Sequence, residues 1–374
     1  MVSAEAKQIV VVGGSYGALK LAHESIRSFA VKQPDQWHVH IISASTEFWH
    51  SIGTPRGILP AGGHTIDDSF LPLEKGFKQY KPEHYTITYG TVTSIDDNAR
   101  SVHVKTQTGE QDVAYYALIL SPGVLSKSPL FSYHDGSKSL RKAYEDAWQA
   151  IPKANSVLIA GGGATGTETA GEIGVRYPDK KVAIYSGAER LLPSIPAKFG
   201  SKAAQQLQRL GVEVVHTVRI KEFTKSDQGY TVHFDDGSSR SFDYVIDATG
   251  RLPNTSFIPA KALNAKKAII VDDFFRVPAL GERVYAIGDA TRDAGLVALM
   301  STAPVLIGTI KHDFGGGKAP KPYKGPMNMM LVPIGPNGGV GHAFGWNMPS
   351  FLVKQAKAKG FFWEKFEPAL LGND

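Results

Sequence analysis

Three glycines follow an apolar run in this 374-residue chain at a spacing that suits phosphate binding. Gly161, Gly163 and Gly166 form a G-x-G-x-x-G pattern between the apolar run Val157–Ala160 and a helical pattern that extends to about Tyr177. In such a strand–turn–helix unit the first glycine permits the tight turn, the second lets a pyrophosphate approach the backbone, and the third lets helix and strand pack closely. The helix N-terminus favours the phosphate charge. This stretch therefore predicts a dinucleotide-binding turn.

A second, less regular turn of the same kind lies near the start of the chain, after the β-branched run Ile9–Val12. It consists of Gly13, Gly14, Ser15, Tyr16, Gly17 and Ala18. Ser15 stands where the second glycine is expected, and Ala18 stands at the third position, where alanine is tolerated. The hydroxyl of Ser15 could bond a phosphate, so this turn is also predicted to bind a nucleotide. A tight strand–helix turn without a ligand is the alternative.

The carboxylate that binds ribose hydroxyls at the end of the second strand is missing from both units. Ser43 holds that position in the first unit and Ser186 in the second. A neutral residue with an arginine nearby admits the 2′-phosphate of NADP, and Arg190 lies four residues beyond Ser186, although Glu189 is beside it. The pattern favours NADPH over NADH and leaves both open.

Composition excludes several classes of protein. The chain has no cysteine, which rules out disulfides, thiolate metal sites and a redox-active dithiol. Its net charge of +6 is scattered, so no nucleic-acid partner is expected. The histidines follow no metal-ligand spacing, and no metal site is predicted. No apolar run is long enough to span a membrane and residues 1–8 show no leader, so we expect a cytoplasmic protein.

The elements around the turns give the fold class. Each turn joins a strand to a helix and a second strand, Val39–Ile42 in the first unit and Val182–Tyr185 in the second, which is the opening of a doubly wound sheet. Between the units Tyr85–Lys105 alternates as an antiparallel insertion would. A helix is expected over about Leu296–His312, before a Gly/Pro-rich linker. These patterns predict an α/β protein with two Rossmann-like units.

Two such turns in one chain, with three later motifs, resemble the pyridine-nucleotide–flavin oxidoreductase superfamily. The motifs are Leu118–Gly123, Ala248–Asn254 and Val284–Ala290. The resemblance implies three-layer, ββα-type dinucleotide-binding domains, with an NAD(P)H domain (128–250) inserted into an FAD domain (1–127 and 251–326) and a small α+β region (327–374) capping the flavin. It also implies that the motif residues bind the cofactors: Pro122, Gly123, Gly250, Gly288 and Asp289, the last hydrogen-bonding the ribityl chain.

Within the superfamily the chain is most similar to the second apoptosis-inducing-factor branch, the AMID or ferroptosis-suppressor-like group, and to its fungal members. The similarity rests on Glu47–His50 with Pro55-Arg56, on the stretch 330–341 and on the stretch 357–362. It implies FAD as the bound cofactor, NAD(P)H as the electron donor and a quinone or similar small molecule as the acceptor.

The resemblance also suggests roles for three charged residues. It implies two catalytic residues, Glu168 near the nicotinamide or its ribose and Lys357 near the flavin or acceptor pocket, and it places Arg56 beside the FAD. The alternatives are a carboxylate favoured by the helix dipole for Glu168, a solvated lysine for Lys357 and a surface arginine for Arg56. Because there is no dithiol, the acceptor must approach the flavin directly.

Other interpretations stay open at this point. The chain could be a flavoprotein that tailors or detoxifies an aromatic metabolite, or a slowly turning-over protein that signals its NAD(P)H-bound state. The basic residues Lys354, Lys357 and Lys359 precede the aromatic run 361–363, and this tail could touch an anionic membrane or, alternatively, pack over the flavin or a partner subunit. Both a monomer and a homodimer are compatible with the sequence.

Overall fold

The computed structural model describes residues 6–293 and 295–373; residues 1–5, part of the stretch predicted to lack a leader, lie outside this description. The helices are α1 (Tyr16–Ser25), α2 (Thr54–Gly57), α3 (Lys138–Lys153), α4 (Ala164–Arg176), α5 (Ala197–Arg209), α6 (Leu296–Asp313), α7 (Ser350–Val353) and α8 (Trp363–Leu370). The strands are β1 (Lys7–Val12), β2 (Trp37–Ser43), β3 (Glu47–Trp49), β4 (Phe70–Pro72), β5 (Tyr85–Asp96), β6 (Ser101–Thr106), β7 (Glu110–Ala114), β8 (Ala117–Leu120), β9 (Val124–Ser126), β10 (Ser156–Ala160), β11 (Lys181–Ser186), β12 (Glu213–His216), β13 (Ile220–Ser226), β14 (Gly229–Phe234), β15 (Ser239–Phe242), β16 (Tyr244–Asp247), β17 (Arg251–Pro253), β18 (Val284–Ala286), β19 (Met329–Pro333), β20 (Gly339–Ala343) and β21 (Trp346–Asn347).

Seven strands form the first sheet, in the order β18-β8-β1-β2-β5-β6-β7. Its inner strands are parallel, with Val12 opposite both Ile42 and Leu120. Residues 9–11 of β1 are completely buried, as expected of a parallel strand covered on both faces. β5 pairs first with β2 in parallel and then with β6 antiparallel. The insertion predicted over Tyr85–Lys105 is therefore confirmed as the outer part of this sheet.

The second sheet contains four parallel strands in the order β12-β11-β10-β16, and a separate antiparallel sheet, β13-β14-β15, accompanies it. Ala160 at the end of β10 lies opposite Tyr185 and Asp247, so three strands end at one edge. A turn that contains Asp236 and Gly237 joins β14 to β15. Parallel strands that end together create the crevice in which open α/β sheets bind ligands.

The second sheet is inserted into the first. After β8 the chain leaves through β9, builds the second sheet, and returns through β17, which pairs antiparallel with β9. β18 then completes the first sheet beside β8. The predicted fold class, two Rossmann-like units with one inserted into the other, is confirmed, whereas the exact domain boundaries stay a prediction.

The C-terminal region packs on both units. Its antiparallel strands β19 and β20 contact α4 and α5 of the second unit. Gly171 of α4 permits this close approach, because a Cβ there would stand 2.8 Å from Cα of Ile334. α8 packs instead on the first unit, where Leu370 is buried and its carbonyl oxygen accepts a hydrogen bond from Nε2 of His23 (2.8 Å). This region therefore spans the junction between the two sheets.

Two long helices, α3 and α5, were not predicted, although each buries residues at helical spacing. α3 buries Leu140, Tyr144 and Ala147, and α5 buries Phe199 and Ala203. The helix predicted over about Leu296–His312 is confirmed as α6. Within residues 6–293 and 295–373 no helix combines the length and the apolar character needed to cross a membrane.

Candidate active site

The second glycine turn has the geometry that its spacing predicts. Gly161 adopts φ = +113°, which only glycine adopts readily, and the turn packs against the end of β16. A Cβ at Gly166 would overlap the carbonyl oxygen of Gly161, so only glycine allows α4 to pack this closely on β10. A Cβ at Gly163 would meet nothing within 4 Å. The open face at Gly163 fits the approach of a pyrophosphate to the backbone.

The first turn repeats this arrangement with different residues. Gly13 has φ = +129° and packs against the carbonyl oxygen of Ser121. Ser15 is the N-cap of α1, with extended backbone and no side-chain capping hydrogen bond, as Gly163 is for α4. The first-turn N–H groups of both helices therefore lack a side-chain cap, and such groups favour an anionic ligand. Both turns fit a nucleotide phosphate.

Ser43 and Ser186 occupy matching places under the two turns. Oγ of Ser43 donates to the carbonyl oxygen of Ser45 (2.7 Å), and Oγ of Ser186 donates to that of Arg190 (3.1 Å). Each hydroxyl also accepts a backbone N–H two residues later in the chain. Both serines are buried. The hydroxyls at the two ribose positions are thus used by local turns, and the contacts of Ser43 and Ser186 with a cofactor stay a prediction.

Arg190 does not have the free guanidinium that the NADPH hypothesis requires. Its guanidinium donates to the carbonyl oxygens of Leu192 (2.9 Å), Pro193 (3.0 Å) and Ile195 (2.7 Å). These bonds close the loop after β11 and direct the side chain into the protein. The three bonds favour a role for Arg190 in holding its own loop, and its predicted role toward the 2′-phosphate stays a prediction.

The later motifs lie at the edge of the first sheet, around Ser121. Its hydroxyl would be 2.7 Å from a Cβ at Gly17 and 3.4 Å from one at Gly288, so the first turn and the end of β18 meet there. Oδ1 of Asp289 accepts a hydrogen bond from the N–H of Gly295 (2.7 Å), and Oδ2 lies 3.4 Å from Arg251.

The residues that connect the first sheet to the second lie next to this edge. N–H of Asn254 donates to the carbonyl oxygen of Gly123 (3.0 Å), and its side chain donates to that of Pro122 (3.4 Å). Gly250 joins β16 to β17, at the return from the second sheet. The first-sheet motifs thus lie close together at one edge, and their contacts with FAD stay a prediction.

Glu168 and Lys357 form an ion pair between α4 and the C-terminal region. Nζ of Lys357 lies 2.6 Å from Oε1 of Glu168, and both side chains are largely buried. Burial raises the pKa of Glu168, and the lysine opposes that shift. Lys357 lies in the π-helical turn Lys354–Ala358, a geometry frequent at functional sites. The two predicted catalytic residues are therefore in direct contact.

Arg56 lies beside this pair and is enclosed by protein groups. Its guanidinium binds both carboxylate oxygens of Glu172 (2.8 and 3.0 Å). It also donates to the carbonyl oxygens of Ala358 (2.6 Å) and Lys359 (2.8 Å). Arg56 is therefore a buried clamp between α2, α4 and the C-terminal segment, not the surface arginine considered as the alternative. Its role toward FAD stays a prediction.

Sequence reasoning missed Glu172 and Arg176, which complete the charged cluster. Glu172 is fully buried one helical turn after Glu168, and Nη1 of Arg176 lies 2.6 Å from its Oε2. Helical spacing from Glu168 was the available signal. Two carboxylates and the cations Arg56, Arg176 and Lys357 thus compensate one another along one face of α4, as buried charges must.

A second missed contact links the first turn to the C-terminal segment. Nε2 of His50 is 2.9 Å from the carbonyl oxygen of Phe361, which makes Nε2–H the donor. Nδ1 then accepts the hydroxyl proton of Tyr16 (2.8 Å). Burial lowers the pKa of His50 to about 3, so the imidazole is neutral. The segment that carries Lys357 therefore contacts both units.

The basic and aromatic tail packs mainly on the protein. The ring of Phe361 is completely buried, Lys357 is paired, and Trp363 stacks on His64 with 3.8 Å between ring centroids. The large exposed aromatic side chains of the C-terminal region are instead Phe344, Trp346 and Phe351. Contact with a membrane stays a prediction. In the described part of the chain no group of three His, Asp or Glu residues is arranged to hold a metal ion.

Comparison with known proteins places this geometry in a family. The family model for pyridine nucleotide-disulphide oxidoreductases matches residues 7–305. Oxidoreductase ptaL of Pestalotiopsis fici is 31% identical, over 98% of this chain and 99% of its own length. Ferroptosis suppressor protein 1 of Mus musculus is 24% identical, over 95% of this chain and 93% of its own length. These relatives confirm the predicted resemblance to ferroptosis suppressors and fungal oxidoreductases.

The solved structures agree on the fold. The water-forming NADH oxidase of Lactobacillus brevis, bound to NADH, superposes with a TM-score of 0.66 at 19% identity, over 84% of this chain and 71% of its own length. At that identity the likeness shows the fold alone. With the family model matching both glycine turns and all three later motifs, the chain belongs to the pyridine nucleotide-disulphide oxidoreductase family.

Proposed function

We propose that this protein is an FAD-dependent oxidoreductase that takes a hydride from NAD(P)H and reduces a quinone or a similar small acceptor. The observation that carries the proposal is the buried Lys357–Glu168 ion pair, which joins the helix of the second glycine turn to the segment that also contacts the first turn. The chain has no cysteine, so no dithiol of its own can relay the electrons.

The two turns divide the binding of the cofactors. In this proposal residues 13–18, Pro122, Gly123, Gly288 and Asp289 hold FAD, and Gly161, Gly163 and Gly166 hold the pyrophosphate of NAD(P)H. Bound FAD supplies the redox chemistry, as it accepts a hydride and passes on two electrons. The protein orients the nucleotides through backbone N–H groups at the helix N-termini and excludes water with the C-terminal region.

The ion pair supplies proton chemistry next to this site. Reduction of a quinone to a hydroquinone consumes two electrons and two protons. The hydride taken from NAD(P)H carries both electrons and one of these protons, so one further proton must be supplied. Lys357 holds a proton at Nζ, and Glu168 keeps that ammonium in place in a largely buried environment. Loss of the proton from Nζ would leave the Glu168 carboxylate, whose pKa is already raised by burial, to take up a proton from solvent. The pair can therefore deliver a proton and recover it.

The test uses the purified protein and separates the two half-reactions. Anaerobic titration with NADH and with NADPH measures bleaching of the flavin absorbance, and mixing the reduced protein with a soluble benzoquinone measures its recovery. Because the resemblance places Glu168 near the nicotinamide, we expect Glu168→Gln to slow flavin reduction about 100-fold. Because Lys357 delivers the proton, we expect Lys357→Met to slow reoxidation by the quinone by about the same factor. The bound flavin should stay unchanged in both variants.

Lys359→Met is the matched control, because Lys359 is an exposed lysine of the same segment. It should leave both half-reactions at the wild-type rate. A colourless protein that stays colourless after reconstitution with flavin would refute the proposal. Unchanged rates in both variants would remove the ion pair from the mechanism.

A further inference from the structure

Two loops meet at the carboxyl edge of the second sheet. β11 ends at Ser186 and β12 ends at His216, and these residues are opposite each other in the parallel register. The chain turns back at Thr217, whose φ is +62° and whose N–H donates to the carbonyl oxygen of Ala188 (3.1 Å). The segment after β12 is therefore attached to the loop after β11, at the strand end where a Rossmann unit binds the adenosine ribose.

Arg219 extends from this segment over Gly187. A Cβ at Gly187 would stand 2.8 Å from Cγ of Arg219, so the arginine side chain lies where a larger residue would project. Nε of Arg219 is 3.5 Å from the carbonyl oxygen of Gly187. The backbone of Arg219 exchanges two hydrogen bonds with Asp235, each of 2.9 Å, which fix the base of the side chain.

The guanidinium of Arg219 is available, whereas that of Arg190 is not. Arg219 is exposed and forms no ion pair within residues 6–293 and 295–373. Arg190 is held by three carbonyl oxygens of its own loop. The hydroxyl of Ser186 is bonded within its turn, and no carboxylate follows β11 at the ribose position. Among the described residues, Arg219 is therefore a cation at this edge without an ion pair.

We propose that Arg219 binds the 2′-phosphate of NADPH and makes this protein selective for NADPH over NADH. The proposal rests on the proposed pyridine-nucleotide site of the second unit. A guanidinium suits a phosphate because its N–H groups form parallel hydrogen bonds to two oxygens. Gly187 matters because any side chain there would displace Arg219 from the strand end. The residue proposed to give the selectivity, Arg219, lies 32 residues after Gly187 in the chain, on a different loop.

The test measures phosphate binding without turnover. Isothermal titration of the flavin-loaded protein compares 2′,5′-ADP with 5′-AMP, which lacks the 2′-phosphate. The wild type should bind 2′,5′-ADP at least tenfold more tightly. Arg219→Ala should weaken 2′,5′-ADP binding roughly 10- to 100-fold and leave 5′-AMP binding unchanged. Arg219→Lys keeps the charge and loses the paired N–H geometry. Its affinity for 2′,5′-ADP should lie between those of the wild type and Arg219→Ala.

Two further variants distinguish displacement of the Arg219 side chain from a general loss of positive charge. Gly187→Leu keeps the charge of Arg219 and should still reduce the preference for 2′,5′-ADP, because the added side chain occupies its place. Lys225→Ala removes an exposed cation farther along the same segment and should leave the preference intact.

Equal binding of the two probes by the wild type, or loss of the preference in Arg190→Ala but not in Arg219→Ala, would overturn the proposal. Failure of the proposed function gives a different result, since a protein that NADPH cannot reduce could still prefer 2′,5′-ADP.

Discussion

The two glycine turns share a spacing but differ in what surrounds them. In the second turn Gly163 faces open space, and Gly166 is packed so tightly that no side chain fits. In the first turn Ser15 and Ala18 take those two positions. The open position has room for a small side chain, whereas the residue at the packed position depends on how closely each helix lies on its strand. Spacing alone does not show which glycines are replaceable.

The turns also differ in their connection to the rest of the molecule. Tyr16 of the first turn donates to His50, which donates to the carbonyl oxygen of Phe361. Ala164 stands at the equivalent place in the second turn and cannot make such a bond. The second unit reaches the same C-terminal segment one turn later along α4, through Glu168 and Lys357. One segment is thus joined to both units, by a neutral contact on one side and a charged contact on the other.

The largest effect on stability is expected from exchanging the residues at the packed position of each turn, Gly166 in the second turn and Ala18 in the first. Gly166→Ala would push a Cβ into the carbonyl oxygen of Gly161, and overpacking of this kind should lower the unfolding free energy by about 3 kcal/mol. The matched change in the first turn, Ala18→Gly, should cost less than about 1 kcal/mol. Denaturant unfolding of both variants provides the measurement. Equal losses would mean that the turns are packed alike.

A smaller, pH-dependent effect on stability is expected from His50, which contacts the first turn through Tyr16. Burial lowers the pKa of His50 from 6.5 to about 3, so between these values the unfolded chain binds a proton that the folded protein does not. The free energy of unfolding should therefore fall as the pH falls, by about 1.4 kcal/mol per pH unit, or about 2 kcal/mol between pH 6.5 and 5. His50→Gln should lose this part of the acid sensitivity. Unfolding curves at several pH values test it, and parallel pH profiles would contradict it.

The smallest effect on the fold is expected at the open position. Gly163 has extended backbone, and a Cβ added there would meet nothing within 4 Å, so Gly163→Val should lower the unfolding free energy by only about 0.5 to 1 kcal/mol, the cost of a poorer N-cap residue. NAD(P)H binding should nevertheless weaken by about tenfold, as the side chain would keep the pyrophosphate from the backbone. Gly163→Ser introduces the residue that the first turn has at this position, and it should lose less NAD(P)H affinity than Gly163→Val. Unaltered NAD(P)H affinity in Gly163→Val would show that no phosphate approaches there.

Local patterns predicted much of the fold. The strands at Ile9–Val12 and Val157–Ala160, both glycine turns and the helix α6 lie where their periodicity and turn residues placed them, because these signals act between neighbours in the sequence. α3 and α5 have polar outer faces, and the sequence patterns predict no element at either place. For the tail the sequence leaves membrane contact and packing on the protein open, and the π-helical turn and α8 form part of a segment that packs on the protein.

In the candidate site, likewise, the sequence identifies individual residues, whereas their contacts form only in the folded protein. Glu168 and Lys357 were each named as catalytic residues, yet their contact joins positions 189 residues apart. Arg190 was favoured for the 2′-phosphate because it is near in sequence, whereas Arg219 reaches the same strand end from another loop. Proximity along the chain is a poor guide at a sheet edge, because parallel strands bring together loops that are distant in sequence.

The sequence by itself determined that two strand–turn–helix units exist, that both turns suit a phosphate, and that no cysteine can take part in the chemistry. These properties depend on residue type and short spacing. Only the tertiary structure decided which charged groups are satisfied and which are available: Arg56 and Arg190 are held by carbonyl oxygens, Lys357 is paired with Glu168, and Arg219 is exposed. Hydrogen-bond satisfaction is settled by packing, since the partners come from segments that meet only in the folded chain.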